Sequence, residues 1–161
     1  MMQGTRLLRI LGRDYQGQNC SIARSLEMLG ERWTLLIVRD AFLGVRRFDA
    51  LSRKLGVAPN ILSRRLETLI EGGVLEKHPS QRNPTRYEYL LTERGLALFP
   101  VITALLAWGD DNFSPSPPAL LRHAGCGGDL DARAICTACG AVVTAREAEW
   151  WWGPGSGREP S

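Results

Sequence analysis

No stretch of this chain is apolar for long enough to cross a membrane. The longest charge-free apolar run, residues 96–109, has 14 residues and contains Pro100, whereas a spanning helix needs about 20. Arg6, Arg9 and Arg13 interrupt the apolar residues at the start, so no signal peptide is read there and a cytoplasmic location is expected. Histidine is scarce, with two residues, and cysteine numbers only four: Cys20, Cys126, Cys136 and Cys139. In a reducing compartment such cysteines point to metal or redox chemistry before structural disulfides. There is no phosphate-binding glycine loop, no paired-carboxylate constellation and no Ser/His/Asp set in a fitting context, so an enzyme is not expected. Disorder along the whole length is excluded as well: 161 residues at 44% hydrophobic and 23% charged suffice to bury a core.

Excess charge is also slight, at +3, but it is unevenly placed. Residues 1–112 carry 16 bases against 12 acids, while residues 113–161 carry 4 against 5. Within residues 46–65, Arg46, Arg47, Arg53, Lys54, Arg64 and Arg65 face a single acid, Asp49.

The periodicity explains where that charge lies. Residues 1–19 read as an arm. Ile22, Leu26 and Leu29 then recur at helical spacing up to Gly30, predicting a short amphipathic helix. Trp33, Leu35, Leu36, Ile37, Val38 and Phe42 surround a second helix, expected to be central and buried. Phe48, Leu51 and Leu55 mark a third, closed by Gly56; Pro59 opens a fourth, with Leu62, Leu66, Leu69 and Ile70 on its apolar stripe and Gly72-Gly73 after it. Two helices about a tight turn make a helix-turn-helix. Residues 74–78 and 86–91, separated by a loop rich in Pro, Ser, Asn and Arg, predict a β-hairpin. Thr92 is placed to cap a final helix to about Asn112, carrying Leu98, Ile102 and Leu105, which Pro100 must kink or interrupt.

This order is the winged-helix plan, and it gives the basic cluster a use. A fourth helix from Pro59 to Glu71 would present Asn60, Ser63 and Arg64 to base edges in a major groove. Arg46, Arg47, Arg53 and Lys54 suit phosphates, which position a protein without specifying sequence. Arg82 and Arg86 in the wing would reach a minor groove or backbone. A solvated basic surface is the plainer reading of such a cluster; its coincidence with this order of elements favours DNA.

Residues 20–113 also resemble the HxlR family of bacterial winged-helix transcriptional regulators. The likeness rests on the cysteine heading the first helix, on "LGERWTLLIVRD", on "GVAPNILSRRLETL", and on "YEYLLTERG" followed by "AWGDD". It implies operator DNA as partner and a homodimer joined through the first and last helices, with Leu98, Ile102 and Leu105 partly facing the second subunit. Two departures are evident. Ala58 stands where the family usually has serine before the proline, giving up an N-cap worth about 1 kcal/mol; Ser21 stands where the family often has proline after the cysteine. In some members the matching cysteine senses electrophiles or oxidants, so the resemblance makes Cys20 a redox-sensing candidate, helped by the positive end of its helix. The alternative is a small half-buried hydrophobe at the dimer contact.

Beyond a Pro/Ser linker at residues 114–120 the composition changes. His123-x2-Cys126-Gly127 and Cys136-x2-Cys139-Gly140 read as two knuckles of a zinc ribbon, a closed structural Cys3His set for Zn2+. His123 is its least secure ligand, and an unmetallated Cys136/Cys139 redox pair is the rival. His78 is read as incidental. Trp150-Trp151-Trp152 is read as packing rather than as a stacking surface for nucleic acid, since no bases interleave.

The expected architecture is therefore mainly α (α+β): an arm at 1–19, a winged helix-turn-helix with a two-stranded wing at 20–113, a linker at 114–120, a zinc-ribbon-like element at 121–153 and a tail at 154–161. The expected function is sequence-specific, operator-binding transcription regulation as a homodimer, without a membrane partner and open to a small-molecule or oxidant inducer. Two readings stay beside it: a protein- or RNA-binding zinc-ribbon module, and a thiol-redox protein using Cys136 and Cys139.

Overall fold

Gly56 turns the chain from one half of the helix-turn-helix into the other. Its φ of +63° lies in the left-handed region, where glycine has no Cβ penalty, and its N–H donates to Ser52 O at 3.0 Å. The chain then extends through Val57 and Ala58, and Pro59 opens the next helix. In the computed structural model, which describes residues 20–81 and 86–154, these helices are α3 (Phe48–Leu55) and α4 (Pro59–Glu71), preceded by α1 (Ser21–Leu29) and α2 (Thr34–Phe42). The arm at 1–19, Arg82 and the tail from 155 lie outside the described residues.

The apolar stripes close one core. Leu62, Leu66 and Leu69 of α4 meet Ile37 and Val38 of α2, with Leu51, Val57, Val74 and Leu75, all nearly inaccessible to solvent. The central position expected for α2 is thus observed. Asp40 on the same helix is wholly buried, which its sequence context did not suggest. Its carboxylate accepts from Arg39 at 2.9 Å and Lys54 at 3.0 Å, so a buried charge is met by two half-exposed cations and ties α2 to α3.

The wing is β1 (Leu75–Pro79) paired antiparallel with β2 (Tyr87–Leu91), Leu75 opposite Leu91. It has an addition the sequence did not announce. Tyr89 N–H donates to Arg46 O at 2.7 Å and Arg47 bridges to Glu88, so residues 46–47 run along β2 and place two bases beside the hairpin.

Pro100 interrupts the last helix rather than kinking it. Thr92 Oγ accepts from Gly95 N–H at 3.1 Å and caps only the short α5 (Glu93–Leu96). A separate α6 (Phe99–Phe113) then carries Pro100 in its first turn, where a missing N–H costs nothing. The apolar residues of the two terminal helices divide in a way the spacing did not reveal. Leu29 and Ile102 are buried, but Ile22 and Leu26 of α1, and Val101, Leu105 and Trp108 of α6, face outward. Among the described residues, no helix is long and apolar enough to span a membrane.

Past α6, β3 (Ala119–His123) pairs antiparallel with β4 (Ala148–Trp152). Strand β3 starts inside the stretch read as a linker. The tryptophans are strand residues, and Trp150 packs against both the winged-helix core and a second cluster in which Leu121 and Ala134 meet Phe99. Phe42 and Phe99 touch in that seam, ring centroids 5.7 Å apart, and Arg146 pairs with Glu93 across it.

Truncating the center of the α4 seam tests this packing. Leu66→Ala should lower unfolding stability by about 3 kcal/mol, seen as a lower urea midpoint at unchanged slope.

Candidate nucleic-acid interface and candidate metal centre

Burial of Leu62, Leu66 and Leu69 fixes the rotation of α4, and with it what the helix shows to solvent. Asn60, Arg64 and Glu67 are exposed and Ser63 is half-buried on the outward face. No side chain caps the helix start at Ala58, as its alanine foretold. The six bases of residues 46–65 do not act alike. Arg64 and Arg46 are exposed and form no ion pair among the described residues. Arg47 and Arg53 share Asp49, at 3.3 and 3.9 Å. Lys54 is drawn back to Asp40, and Arg65, 17% exposed, reaches Glu31 at 2.7 Å on the inner side.

Arg86 stands with Arg47, Tyr87 and Tyr89 around a recess of about 300 Å³ between the wing and the start of α3. Lys77, which the sequence reading passed over, lies 4.1 Å above the Tyr87 ring and adds a further cation to the wing. Its signal was available only in the register, which places β1 beside β2. His78 pairs with Glu76 at 3.0 Å on the exposed hairpin. Cys20 is exposed at the N-terminus of α1 and makes no capping bond through its side chain.

The C-terminal element brings four sequence-predicted residues to one point. His123 Nδ1 lies 3.3 Å from Cys126 Sγ and 3.5 Å from Cys139 Sγ, and Cys126 Sγ lies 3.3 Å from Cys136 Sγ. All four ligand atoms fall within 4.8 Å of one another. Two matching turns achieve this. Gly127 N–H donates to His123 O at 2.7 Å and Gly140 N–H to Cys136 O at 2.8 Å. Each glycine has φ +71°, so both knuckles turn in the same left-handed conformation. Gly128 has no room for a side chain, since a Cβ would meet Cys136 Sγ at 2.6 Å, and one at Gly125 would press on the His123 ring at 3.1 Å.

The sulfurs are polarised by the same turns. Cys136, fully buried, has its pKa lowered to about 6, first by the Cys139 N–H and then by Cys126 and the Ala138 N–H, against the opposing effect of burial. Cys126 is raised: the Gly128 N–H pulls it down, but its contacts with Cys136 and Cys139 and its desolvation together outweigh that. One thiolate beside thiols and an imidazole is a donor set for a soft or borderline cation. The spacing fits as well, because donors about 2.0–2.3 Å from a tetrahedral ion lie about 3.4–3.8 Å apart. The cluster is thus one that could hold a metal ion.

The profile of HxlR-like helix-turn-helix proteins matches residues 28–117. The chain belongs to that family. An uncharacterized HTH-type transcriptional regulator of Mycobacterium tuberculosis is 47% identical over 147 residues, 90% of this chain and 92% of its own. The crystal structure of PA1607, a transcription factor candidate, superposes with a TM-score of 0.67 at 35% identity, covering 83% of this chain and 94% of its own. The reduced form of the transcriptional regulator YodB from Bacillus subtilis gives 0.51 at 29% identity, over 61% of this chain and 98% of its own. The first two matches are too long to stop at Ser114 and run into the C-terminal element.

The knuckle glycines offer a direct test of that element. A valine at Gly140 has open space around it but must adopt φ +71°, costing about 2 kcal/mol through the backbone alone. Amide protection in residues 119–152 should fall in Gly140→Val while that of α4 is retained.

Proposed function

We propose that this HxlR-like regulator binds operator DNA as a homodimer, with α4 in the major groove and the C-terminal element held by one structural Zn2+. The observation that carries the DNA reading is the outward, unpaired Arg64 beside Asn60 and Ser63 on a helix whose opposite face is locked in the core. Arg64 can reach a guanine edge with two donors, and Asn60 and Ser63 can reach neighboring bases. Arg46, Arg47 and Arg53 line the approach as phosphate contacts, with Arg86 at the wing; Lys54, engaged by Asp40, has to release that pair to join them.

Dimer formation is supported by apolar surface left over on two helices. Ile22 is 70% exposed and Trp108 58%, with Leu26, Val101 and Leu105 beside them. A monomer rarely keeps a surface of this kind uncovered. Both α1 and α6 contribute, and the buried Ile102 does not.

For the metal, His123 through Nδ1 and Cys126, Cys136 and Cys139 through sulfur complete four donors. Zinc there would supply a crosslink, with no position open for reacting water. The element has little else to hold it, since Leu121, Ala134, Cys136 and Val143 are its only buried hydrophobic side chains among the described residues. The thiol-pair rival is less well supported, because His123 and Cys126 converge on the same point as Cys136 and Cys139. Cys20, exposed at the N-terminus of α1, is the residue through which an oxidant or electrophile would act on the dimer.

On an operator recovered by genomic footprinting, Arg64→Ala should lose about 1–3 kcal/mol of binding and relax base preference at one position. An equal loss on random DNA would reject base reading. Protein purified without chelator should carry close to one zinc per chain, and Cys136→Ser should abolish it; metal-free wild-type protein with a reducible disulfide would favor the redox reading.

A further inference from the structure

A groove of about 500 Å³ separates the end of α2 from β4. Phe42 and Leu43 form one wall, and the whole of β4, from Ala148 to Trp152, forms the other. The volume suits a small molecule, and such sites favor places where two structural units meet.

The hydrogen-bond phase of the sheet determines what β4 offers. Ala124 N–H donates to Glu147 O at 2.7 Å, and Gly153 N–H donates to Pro118 O at 3.2 Å. Bonded and non-bonded positions alternate along an antiparallel pair. With Leu121 opposite Trp150, these two bonds direct the main chain of Glu149 and Trp151 toward β3. Ala148, Trp150 and Trp152 therefore turn N–H and C=O to the other edge. The sheet has only these two strands, so that edge is its outer boundary.

A donor and an acceptor from Trp150 thus lie side by side along a groove walled by Phe42, Leu43 and Trp152. No lysine or arginine lines it, and Glu149 is its one charged residue. We propose that the groove is a binding site for a planar nitrogen heteroaromatic compound whose edge carries an adjacent hydrogen-bond donor and acceptor, as in a fused lactam. The ring would lie between aromatic walls while its edge meets the Trp150 main chain, as a neighboring strand would. The absence of cations from the lining disfavors anionic compounds. The site is independent of the DNA-contact assignment, and it touches the turn at Leu43 that leads to Arg46 and Arg47.

The test compares quinolin-2-one with N-methylquinolin-2-one, which keeps the ring and loses the donor, on the full-length protein as purified. Calorimetry should give saturable binding of quinolin-2-one at one per chain, and the N-methyl compound should bind about tenfold more weakly. The Trp150 backbone amide should shift on titration. Leu43→Glu, at a position 37% exposed, should abolish binding with metal content and melting temperature unchanged; Trp152→Ala should weaken it and serves if the first variant fails to fold. Equal affinity for the two compounds, no saturable binding, or binding retained in Leu43→Glu would overturn the proposal. Binding of an extended apolar peptide in place of quinolin-2-one would assign the groove to strand addition instead.

Discussion

The leucine seam of α4 sets the rest of this structure in place. Leu62, Leu66 and Leu69 are packed against Ile37 and Val38, and each buried side chain of this kind stabilises by about 2 kcal/mol. Because the three sit on one stripe, their burial fixes the helix about its own axis. Rotation by one residue would put a charged side chain into the core. The outward presentation of Asn60, Ser63 and Arg64 is therefore a consequence of packing on the opposite side.

Charge around the seam is partitioned rather than pooled. Asp40 draws Lys54 inward and Asp49 holds Arg47 and Arg53, while Arg46 and Arg64 project without an acidic partner among the described residues. Exposed pairs of this sort are weak and exchange readily. The Asp49 pairs can open toward phosphate at small cost, whereas the buried Asp40 keeps a stronger hold on its partner.

The C-terminal element is joined to the body by apolar packing as well as by chain connection. Trp150 belongs to the seam with Phe42 and Phe99, so the order of the knuckles bears on the end of α2 and the start of α6. The same docking creates the groove along β4. The groove requires both parts.

Much of this was legible in the residues alone, for physical reasons. Helical periodicity and the glycine and proline punctuation located α2, α3 and α4. The repeated x2 spacing with a following glycine singled out the four residues that converge, because that local pattern turns a knuckle wherever it stands. Charge density near residue 50 singled out the basic surface around α3 and the start of the wing. What the sequence could not decide was which way apolar residues face when their partner is remote. Ile22, Leu26 and Leu105 have core spacing yet lie outside, and Asp40 has surface chemistry yet lies inside. The pairing of residues 46–47 with β2 and the docking of Trp150 likewise depend on contacts far apart in the chain. Local geometry is written in neighboring residues; burial and ion pairing are settled only when distant segments meet.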